Sequence, residues 1–303
     1  MFRTLHVMTQ SRFRQNAGGL IVRLSGEWKH GKLIAMKGLP MHRRSLLAAI
    51  PTVSLFPVAA ARGASLERRP IVLVHGMFGG GWVWRFVTPE LERRGHRVFT
   101  PTLTGVGERS HLLSREVTLD VHIEDVVNMI DMLELRDFTL VGHSYGGMVV
   151  TGVADRLRDR VRRLIYLDAL IPEDGENAFA LLPGDLAGER RTAVARYGAG
   201  VAFPVPDASA VPLPENEAKD WFMRHLRPHP VGTYETPVRL RQPAGSGLRV
   251  TYVAYEKPAL ESIAPSRQRA REKAGWEYLS RPVPHDAEVA DPELVAGLIA
   301  DRA

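Results

Sequence analysis

Short apolar runs recur along the chain from about residue 71 and are separated by longer, more polar stretches. Each run has the length and composition of a buried strand. The runs lie at residues 71–74, 138–141, 164–167, 248–255 and 276–279. After the second run, an apolar helix face opens at Met148 and continues towards Ala154 and Leu157. We therefore expect an α/β fold in which a mostly parallel central sheet is flanked by helices.

The run at 138–141 leads directly into Gly-His-Ser-Tyr-Gly, a Gly-x-Ser-x-Gly pattern. Between a strand and a helix, this pattern is typical of a nucleophile elbow, a sharp turn that presents a serine in strained backbone geometry. Gly142 and Gly146 would let neighbouring segments approach the turn without a Cβ clash. The flanking strand and helix distinguish this segment from a chance glycine-rich turn, so Ser144 is the predicted nucleophile.

A second glycine-rich turn, His-Gly-Met-Phe-Gly-Gly-Gly-Trp, follows the run at 71–74. Such a loop lies beside a nucleophile elbow and supplies one backbone N–H to an oxyanion hole, while the residue after the nucleophile supplies the other. The predicted donors are Met77 and Tyr145, with Gly76 as the motif glycine of the loop. The glycines do not form Gly-x-Gly-x-x-Gly, and no Lys-Ser or Lys-Thr follows, which argues against a phosphate-binding loop.

A serine nucleophile needs a base, and in the chain order Ser, acid, His the base comes last. His285 fits this order. It follows the run at 276–279 and precedes a final helix that Asp291 is expected to cap and Pro292 to open. The other histidines after residue 70 flank the two turns, precede the elbow or fall in a long insertion. His285 is therefore the predicted base.

Three carboxylates are candidates for the acid, and the apolar periodicity of the sequence does not decide among them. Asp168 ends the run at 164–167, at the sheet edge where catalytic groups of open α/β folds collect. Glu256 follows the run at 248–255 and would approach the same imidazole from the neighbouring strand. Asp286 adjoins His285 directly, which makes a bond to the ring Nδ1 awkward. Asp168 is the first choice and Glu256 the alternative.

These residues resemble the α/β-hydrolase superfamily, and within it the esterase and hydroxynitrile-lyase branch, which includes plant methyl-salicylate-type esterases and bacterial esterases. The likeness runs from about Ile71 to the C-terminus. It implies that Ser144 is the nucleophile, that His285 is the base and that Met77 and Tyr145 are the oxyanion donors. No cofactor is implied.

The same resemblance bears on the acid and on the reaction. Plant members place the acid in the turn where this chain has Glu256 and no aspartate, so Glu256 and Asp168 both stay open as the acid.

The lyases carry a lysine after the catalytic histidine and a threonine in place of the loop glycine, where this chain has Asp286 and Gly76. An anionic neighbour would not stabilise a departing cyanide, so hydrolysis is expected. A serine at the elbow, in place of a carboxylate, argues against a haloalkane dehalogenase or an epoxide hydrolase.

The expected activity is therefore hydrolysis of small-molecule carboxylic esters through an acyl-enzyme intermediate. Lactone or amide hydrolysis would use the same triad. A third possibility is a small-molecule binding protein on the same fold with little turnover. The sequence does not determine the oligomeric state.

Composition narrows the range of functions. The 303 residues are 45% hydrophobic and 24% charged, which is close to globular averages. The formal net charge of +6 is concentrated at the start of the chain, because residues 1–70 contain 12 Lys and Arg against 2 Asp and Glu. Nucleic-acid binding is thus not expected of the rest of the chain. The absence of cysteine excludes disulfides, thiolate catalysis and cysteine zinc sites, and no metal site is predicted.

The basic leader contains the pattern of an export signal. Arg43 and Arg44 follow Met41 and precede an apolar stretch, 46–61, that ends in small residues. This stretch is short and contains two prolines, which argues against a membrane-spanning helix. Residues 41–61 are therefore predicted to be a Tat-like signal peptide that directs export to the periplasm or the medium.

Signal peptides stand at the start of a chain, so Met41 is a candidate for the true start and residues 1–40 are interpreted as a basic extension. The alternative is a cytoplasmic enzyme with a basic tail. The hydrolase domain is then expected at 62–303. Residues 172–245 are too long for a simple connection, and we predict that they form a lid. An apolar roof over the nucleophile is expected from Phe222 and Leu226, with Trp221 and Met223 beside them, and from Leu181 and Leu182.

Overall fold

The computed structural model describes residues 68–303. The predicted extension (1–40) and signal peptide (41–61) lie outside the described residues. The main sheet has six strands in the order β2-β1-β3-β4-β7-β8, and every neighbouring pair is parallel. Its strands are β1 (Arg68–Val74), β2 (His96–Phe99), β3 (Phe138–His143), β4 (Val161–Leu167), β7 (Arg249–Tyr255) and β8 (Glu277–Arg281). The short strands β5 (Ala202–Phe203) and β6 (His229–Pro230) form a separate antiparallel pair.

Helices follow most of the strands. The α-helices of the described region are α1 (Thr88–Arg93), α2 (Leu119–Met132), α3 (Gly146–Arg156), α4 (Leu186–Tyr197), α5 (Glu217–His225), α6 (Gly232–Glu235), α7 (Ala264–Glu272), α8 (Ala287–Ala290) and α9 (Pro292–Ala300). Short 3₁₀ segments lie at Gly81–Phe86, Gly107–Leu112, Arg158–Arg160, Ala178–Leu181, Ala208–Ala210 and Glu261–Ile263. Within residues 68–303, no helix is long and apolar enough to cross a bilayer.

The sheet separates two hydrophobic layers, because successive residues of a strand point to opposite faces. In β1, Val72 and Val74 pack into the layer that contains the apolar faces of α2 and α3. Ile71 and Leu73 pack into the other layer, with α1 and α9. A strand that is buried on both faces consists of a nearly continuous run of apolar residues, which is why the sequence predicts β1.

The predicted fold class is confirmed: a parallel central sheet is flanked by helices. All five predicted runs form strands of this sheet. The sequence did not predict β2, whose four residues include His96 and Arg97 and contain no apolar run. Between the end of β4 and the start of β7 the chain forms α4, α5, α6 and the β5–β6 pair, and this segment includes the predicted lid at 172–245.

Candidate active site

Ser144 occupies the turn between β3 and α3. Its φ is +52°, a left-handed backbone conformation that is rare and strained for a residue with a side chain. Two backbone hydrogen bonds hold the residue in place: its N–H donates to the carbonyl of Leu167 at 3.2 Å, and its carbonyl accepts from Leu170 N–H at 3.0 Å. The residue is thus tied to the segment that leaves β4, as the predicted elbow requires.

The motif glycines are needed because atoms of neighbouring residues lie very close to both positions. A Cβ on Gly142 would lie 2.6 Å from the Val150 Cγ2 atom. A Cβ on Gly146 would lie 2.7 Å from the backbone oxygens of Val74 and His75. Both distances are too short for real contacts. The two glycines of the Gly-x-Ser-x-Gly motif are therefore required by the close packing of β1, β3 and α3 at the turn.

The structure brings Ser144, His285 and Asp168 into one hydrogen-bonded chain. His285 Nε2 lies 2.9 Å from Ser144 Oγ, and His285 Nδ1 lies 2.7 Å from Asp168 Oδ2. His285 is on the loop between β8 and α8, and Asp168 directly follows β4. The carboxylate accepts a hydrogen bond from Nδ1–H, which leaves the Nε2 lone pair directed at the serine hydroxyl. This arrangement can transfer a proton from the hydroxyl to the imidazole.

The alternative acid does not reach the imidazole. Glu256 directly follows β7, and its half-exposed carboxylate accepts hydrogen bonds from Arg271 at 3.1 Å and from Ser280 Oγ at 2.5 Å. Asp168 occupies the position beside His285 instead.

Asp168 is fully buried and accepts four hydrogen bonds. Besides His285, Arg267 donates from Nε to Oδ1 at 2.7 Å and from a terminal nitrogen to Oδ2 at 2.8 Å, and the Tyr255 N–H donates to Oδ1 at 3.2 Å. Burial by itself would raise the pKa of Asp168, but the hydrogen bonds and charges of His285 and Arg267 outweigh it, so the pKa is lowered. The group is therefore held as a carboxylate.

Sequence reasoning missed Arg267. It is one of three arginines in the polar helix α7, and only the fold shows that its side chain is buried against a residue 99 positions away. A bidentate guanidinium–carboxylate pair fixes the orientation of the carboxylate as well as its charge.

The predicted oxyanion donors flank the serine. Met77 follows β1 on the loop, and Tyr145 is the residue that caps α3. Neither backbone N–H has a hydrogen-bond partner within residues 68–303. Gly76 brings the loop against the nucleophile, since a Cβ there would lie 2.9 Å from Ser144 Cβ. Two free N–H groups near the hydroxyl, one of them at a helix N-terminus, can stabilise a negative oxygen.

A cavity of about 220 Å³ opens over the serine. Its apolar wall includes Leu182, Phe222 and Leu226, three of the side chains that the sequence placed in the roof. Trp221, which was grouped with them, instead packs edge-on against Trp82 at a centroid distance of 5.2 Å. The insertion thus contributes directly to the wall of the cavity.

A further cluster next to the triad was not predicted. His143, Asp286 and Glu288 present side-chain atoms within 4.8 Å of one another. His143 Nε2 lies 2.9 Å from the backbone oxygen of His285, and its Nδ1 lies 3.2 Å from Glu288 Oε1. One ring nitrogen of His143 is therefore hydrogen-bonded to the backbone, and the other is in contact with the Glu288 carboxyl group.

His75 has a structural role in the loop. It is fully buried; its Nδ1 lies 2.8 Å from the Gly76 carbonyl oxygen, and its Nε2 accepts from Leu103 N–H at 3.2 Å. Burial lowers the pKa of His75 to about 4, so the ring is neutral and can serve as donor and acceptor at once. It fixes the backbone that positions Met77.

Comparison with known proteins identifies the family. The profile of the family described as "alpha/beta hydrolase fold" matches residues 69–275, which is more than half of the chain. The chain belongs to the α/β-hydrolase family. The resemblance inferred from the glycine turns and the final histidine is confirmed.

Relatives of this α/β-hydrolase place it in the esterase branch. It is 40% identical over 240 residues to a carbendazim-hydrolyzing esterase of Nocardioides, and the match covers 76% of this chain and 97% of the relative. An extracellular α/β-hydrolase from a Paenibacillus species superposes with a TM-score of 0.67 at 20% identity, covering 77% of this chain and 98% of that one. A pyrethroid hydrolase from Sphingobium faniae superposes with a TM-score of 0.59 at 24% identity, covering 77% of this chain and 96% of that one. Both structures share the fold, and the expectation of a hydrolase of the esterase type is confirmed.

Proposed function

We propose that this α/β-hydrolase is a serine carboxylic-ester hydrolase that acts through an acyl-enzyme intermediate. The observation that carries the proposal is the continuous Ser144–His285–Asp168 chain, with separations of 2.9 and 2.7 Å, at the floor of a cavity. A hydroxyl, an imidazole and a buried carboxylate in this order make up the machinery of nucleophilic acyl transfer.

In the acylation step, Ser144 Oγ attacks the ester carbonyl carbon while His285 Nε2 accepts the hydroxyl proton. The carbonyl oxygen becomes an oxyanion, which the N–H groups of Met77 and Tyr145 stabilise. Asp168 accepts a hydrogen bond from the imidazolium that forms and stabilises its charge. The tetrahedral intermediate then collapses, His285 donates its proton to the departing alcohol, and the acyl group stays on Ser144.

Deacylation repeats the sequence with water. His285 takes a proton from a water molecule, the hydroxide attacks the acyl carbon, and the same two N–H groups stabilise the second oxyanion. Collapse releases the carboxylic acid and returns the proton to Ser144. A cavity of about 220 Å³ with a largely apolar wall suits small esters with an apolar acyl or alcohol part.

A carbamate ester is a second candidate substrate. The observation in its favour is the similarity to the carbendazim-hydrolyzing esterase, 97% of which aligns with this chain. Carbendazim is a methyl carbamate, and a carbamate carbonyl would be attacked by the same serine and held by the same oxyanion donors.

Turnover of p-nitrophenyl acetate and butyrate by the full chain tests the proposal. Ser144→Ala and His285→Ala are each expected to lower kcat by on the order of 10⁴-fold or more, because each removes a group without which the hydroxyl is not activated. Thermal unfolding verifies that both variants are folded. Wild-type rates in either folded variant would contradict the assignment, and a single equivalent of product from the wild type would indicate a binding protein with little turnover.

A further inference from the structure

Two carboxyl groups that the hydrolytic mechanism does not use lie in the wall of the catalytic cavity. Asp286 and Glu288 line the cavity together with Ser144 and His285. Glu288 is 2% exposed, and Asp286 is partly exposed. The triad already has its acid in Asp168, which contacts the far nitrogen of His285. The presence of two more acids beside the reacting atoms calls for a separate explanation.

The contact with His143 bears on the protonation state of Glu288. The backbone oxygen of His285 can only accept, so His143 Nε2 must carry a hydrogen. Burial lowers the pKa of His143 to about 3, so the ring is neutral and its Nδ1 is an acceptor. Glu288 Oε1 lies 3.2 Å from this Nδ1, and this contact favours the protonated, neutral carboxyl group because two unprotonated acceptors would repel each other. Burial, together with the charge of Asp286, raises the pKa of Glu288 well above its usual range, in agreement.

Burial also raises the pKa of Asp286, whereas the charge of the adjacent His285 lowers it. Among the residues that the structure describes, its carboxylate has no hydrogen bond and no ion pair, although its backbone oxygen accepts from Val289 and Ala290. The guanidinium in the cavity wall, that of Arg190, donates to the Tyr234 hydroxyl at 3.2 Å and does not pair with either acid. Shielding a carboxylate from bulk water without a hydrogen-bond partner costs free energy. A hydrogen-bond donor on a bound ligand would offset that cost.

We propose that Asp286 is a specificity-determining residue that binds a cationic N–H group of the substrate. The preferred ligands are esters or carbamates whose acyl or alcohol part carries an amidinium or ammonium group. An amidinium edge presents two parallel N–H groups that match the two oxygens of a carboxylate. Glu288, which is buried in contact with His143, adds a polar surface beside Asp286. The link to turnover rests on the proposed esterase function, whereas the binding claim does not.

Calorimetric titration of the full chain with benzamidine and benzamide tests the binding claim, because the two ligands share a shape and differ in charge. The wild type is expected to bind benzamidine at least about tenfold more tightly than benzamide. Asp286→Asn is expected to lose that preference. Glu261→Gln, which removes an exposed carboxylate next to the cavity-lining Ser262, should keep it. Equal affinities in the wild type, or a preference that survives in Asp286→Asn, would overturn the proposal.

Kinetics then separate the inference from the proposed function. Benzamidine should inhibit p-nitrophenyl acetate hydrolysis competitively, and kcat/KM should be higher for methyl 4-amidinobenzoate than for methyl 4-carbamoylbenzoate, with the difference lost in Asp286→Asn. If the wild type turns over no ester but still prefers benzamidine, the proposed function fails and the binding site stands. If both esters are hydrolysed without preference, or if Asp286→Asn slows them equally, Asp286 acts on His285 and the inference is wrong.

Discussion

Asp168 is fixed from three directions, by His285, by the guanidinium of Arg267 and by the N–H of Tyr255. Such a carboxylate cannot rotate away from the imidazole without leaving buried donors unsatisfied. Its φ of +43° is also a strained conformation, which the surrounding hydrogen bonds maintain. The orientation of His285 is thus determined by residues from β4, β7 and α7.

Exchanging the two candidate acids for their amides distinguishes them. Asp168→Asn is expected to lower kcat for p-nitrophenyl acetate by roughly 10³- to 10⁴-fold, since an amide can hold the wrong tautomer of His285. Glu256→Gln removes a half-exposed carboxylate of the same charge just after β7 and should keep kcat within about twofold. Circular dichroism checks the fold of both. A large loss of kcat in Glu256→Gln, with kcat retained in Asp168→Asn, would reverse the assignment of the acid.

At the residue scale, the sequence predicted the groups that belong to local patterns. Ser144 stands in a five-residue motif, and His285 stands between a strand and a capped helix. Arg267 and Glu288 carry no such signal, because their partners Asp168 and His143 are distant in sequence and only the closed fold brings them together. Contacts of this kind cannot be derived from spacing.

At the scale of elements, the first turn of α3 packs directly on the segment that follows β4. A Cβ on Gly147 would lie 2.1 Å from the Leu170 backbone oxygen and 2.9 Å from the Ala169 Cβ. The backbone oxygen cannot move without disturbing the hydrogen bond that Leu170 N–H donates to Ser144. The position of the nucleophile therefore depends on this close packing of a helix against a loop.

Two glycine-to-alanine substitutions should have opposite effects on stability. Gly147→Ala is expected to lower the free energy of unfolding by roughly 1–3 kcal/mol, because the added methyl overpacks the turn. Gly297 lies within α9, where a Cβ would meet no atom within 4 Å. Gly297→Ala should therefore raise the free energy of unfolding by about 0.5–1 kcal/mol, because alanine has the higher helix propensity. Urea denaturation measures both. Stabilisation by Gly147→Ala would show that the packing described here is wrong.

Elements with a local sequence signal were predicted. The largely buried strands β1, β3, β4 and β7 and the partly exposed β8 were all recognised from apolar runs. Asp291 caps α9 as expected, accepting from Leu294 N–H at 3.1 Å. The inner layout of the insertion was not predicted. Its strands β5 and β6 are two residues long, which is too short for any periodicity to appear.

At the scale of the whole molecule, several histidines are enclosed in the core. His75 and His122 are fully buried, and burial lowers the pKa of each to about 4. An unfolded histidine has a pKa near 6.5, so between roughly pH 4 and 6.5 the unfolded chain binds more protons than the folded one. Stability contributed in this way is present above the unfolded pKa and is lost as the pH falls towards the folded pKa.

The free energy of unfolding is therefore expected to fall on acidification below about pH 6.5, with each of these histidines contributing roughly 1.4 kcal/mol per pH unit. Urea denaturation at a series of pH values measures the slope. His75→Gln should reduce the slope by the contribution of about one proton, whereas His111→Gln, at an exposed position, is the matched control. A slope that does not change in His75→Gln would show that the buried ring is charged in the folded state.

The central claim is that catalysis proceeds through an acyl group on Ser144, and rapid quenching followed by mass spectrometry tests it most directly. During turnover of p-nitrophenyl acetate at low pH, where deacylation is slowed, an acetyl adduct is expected on the peptide that contains Ser144. The adduct should be absent in Ser144→Ala. Sustained turnover by Ser144→Ala, or an acetyl group that forms and decays at the catalytic rate on another residue, would contradict the mechanism.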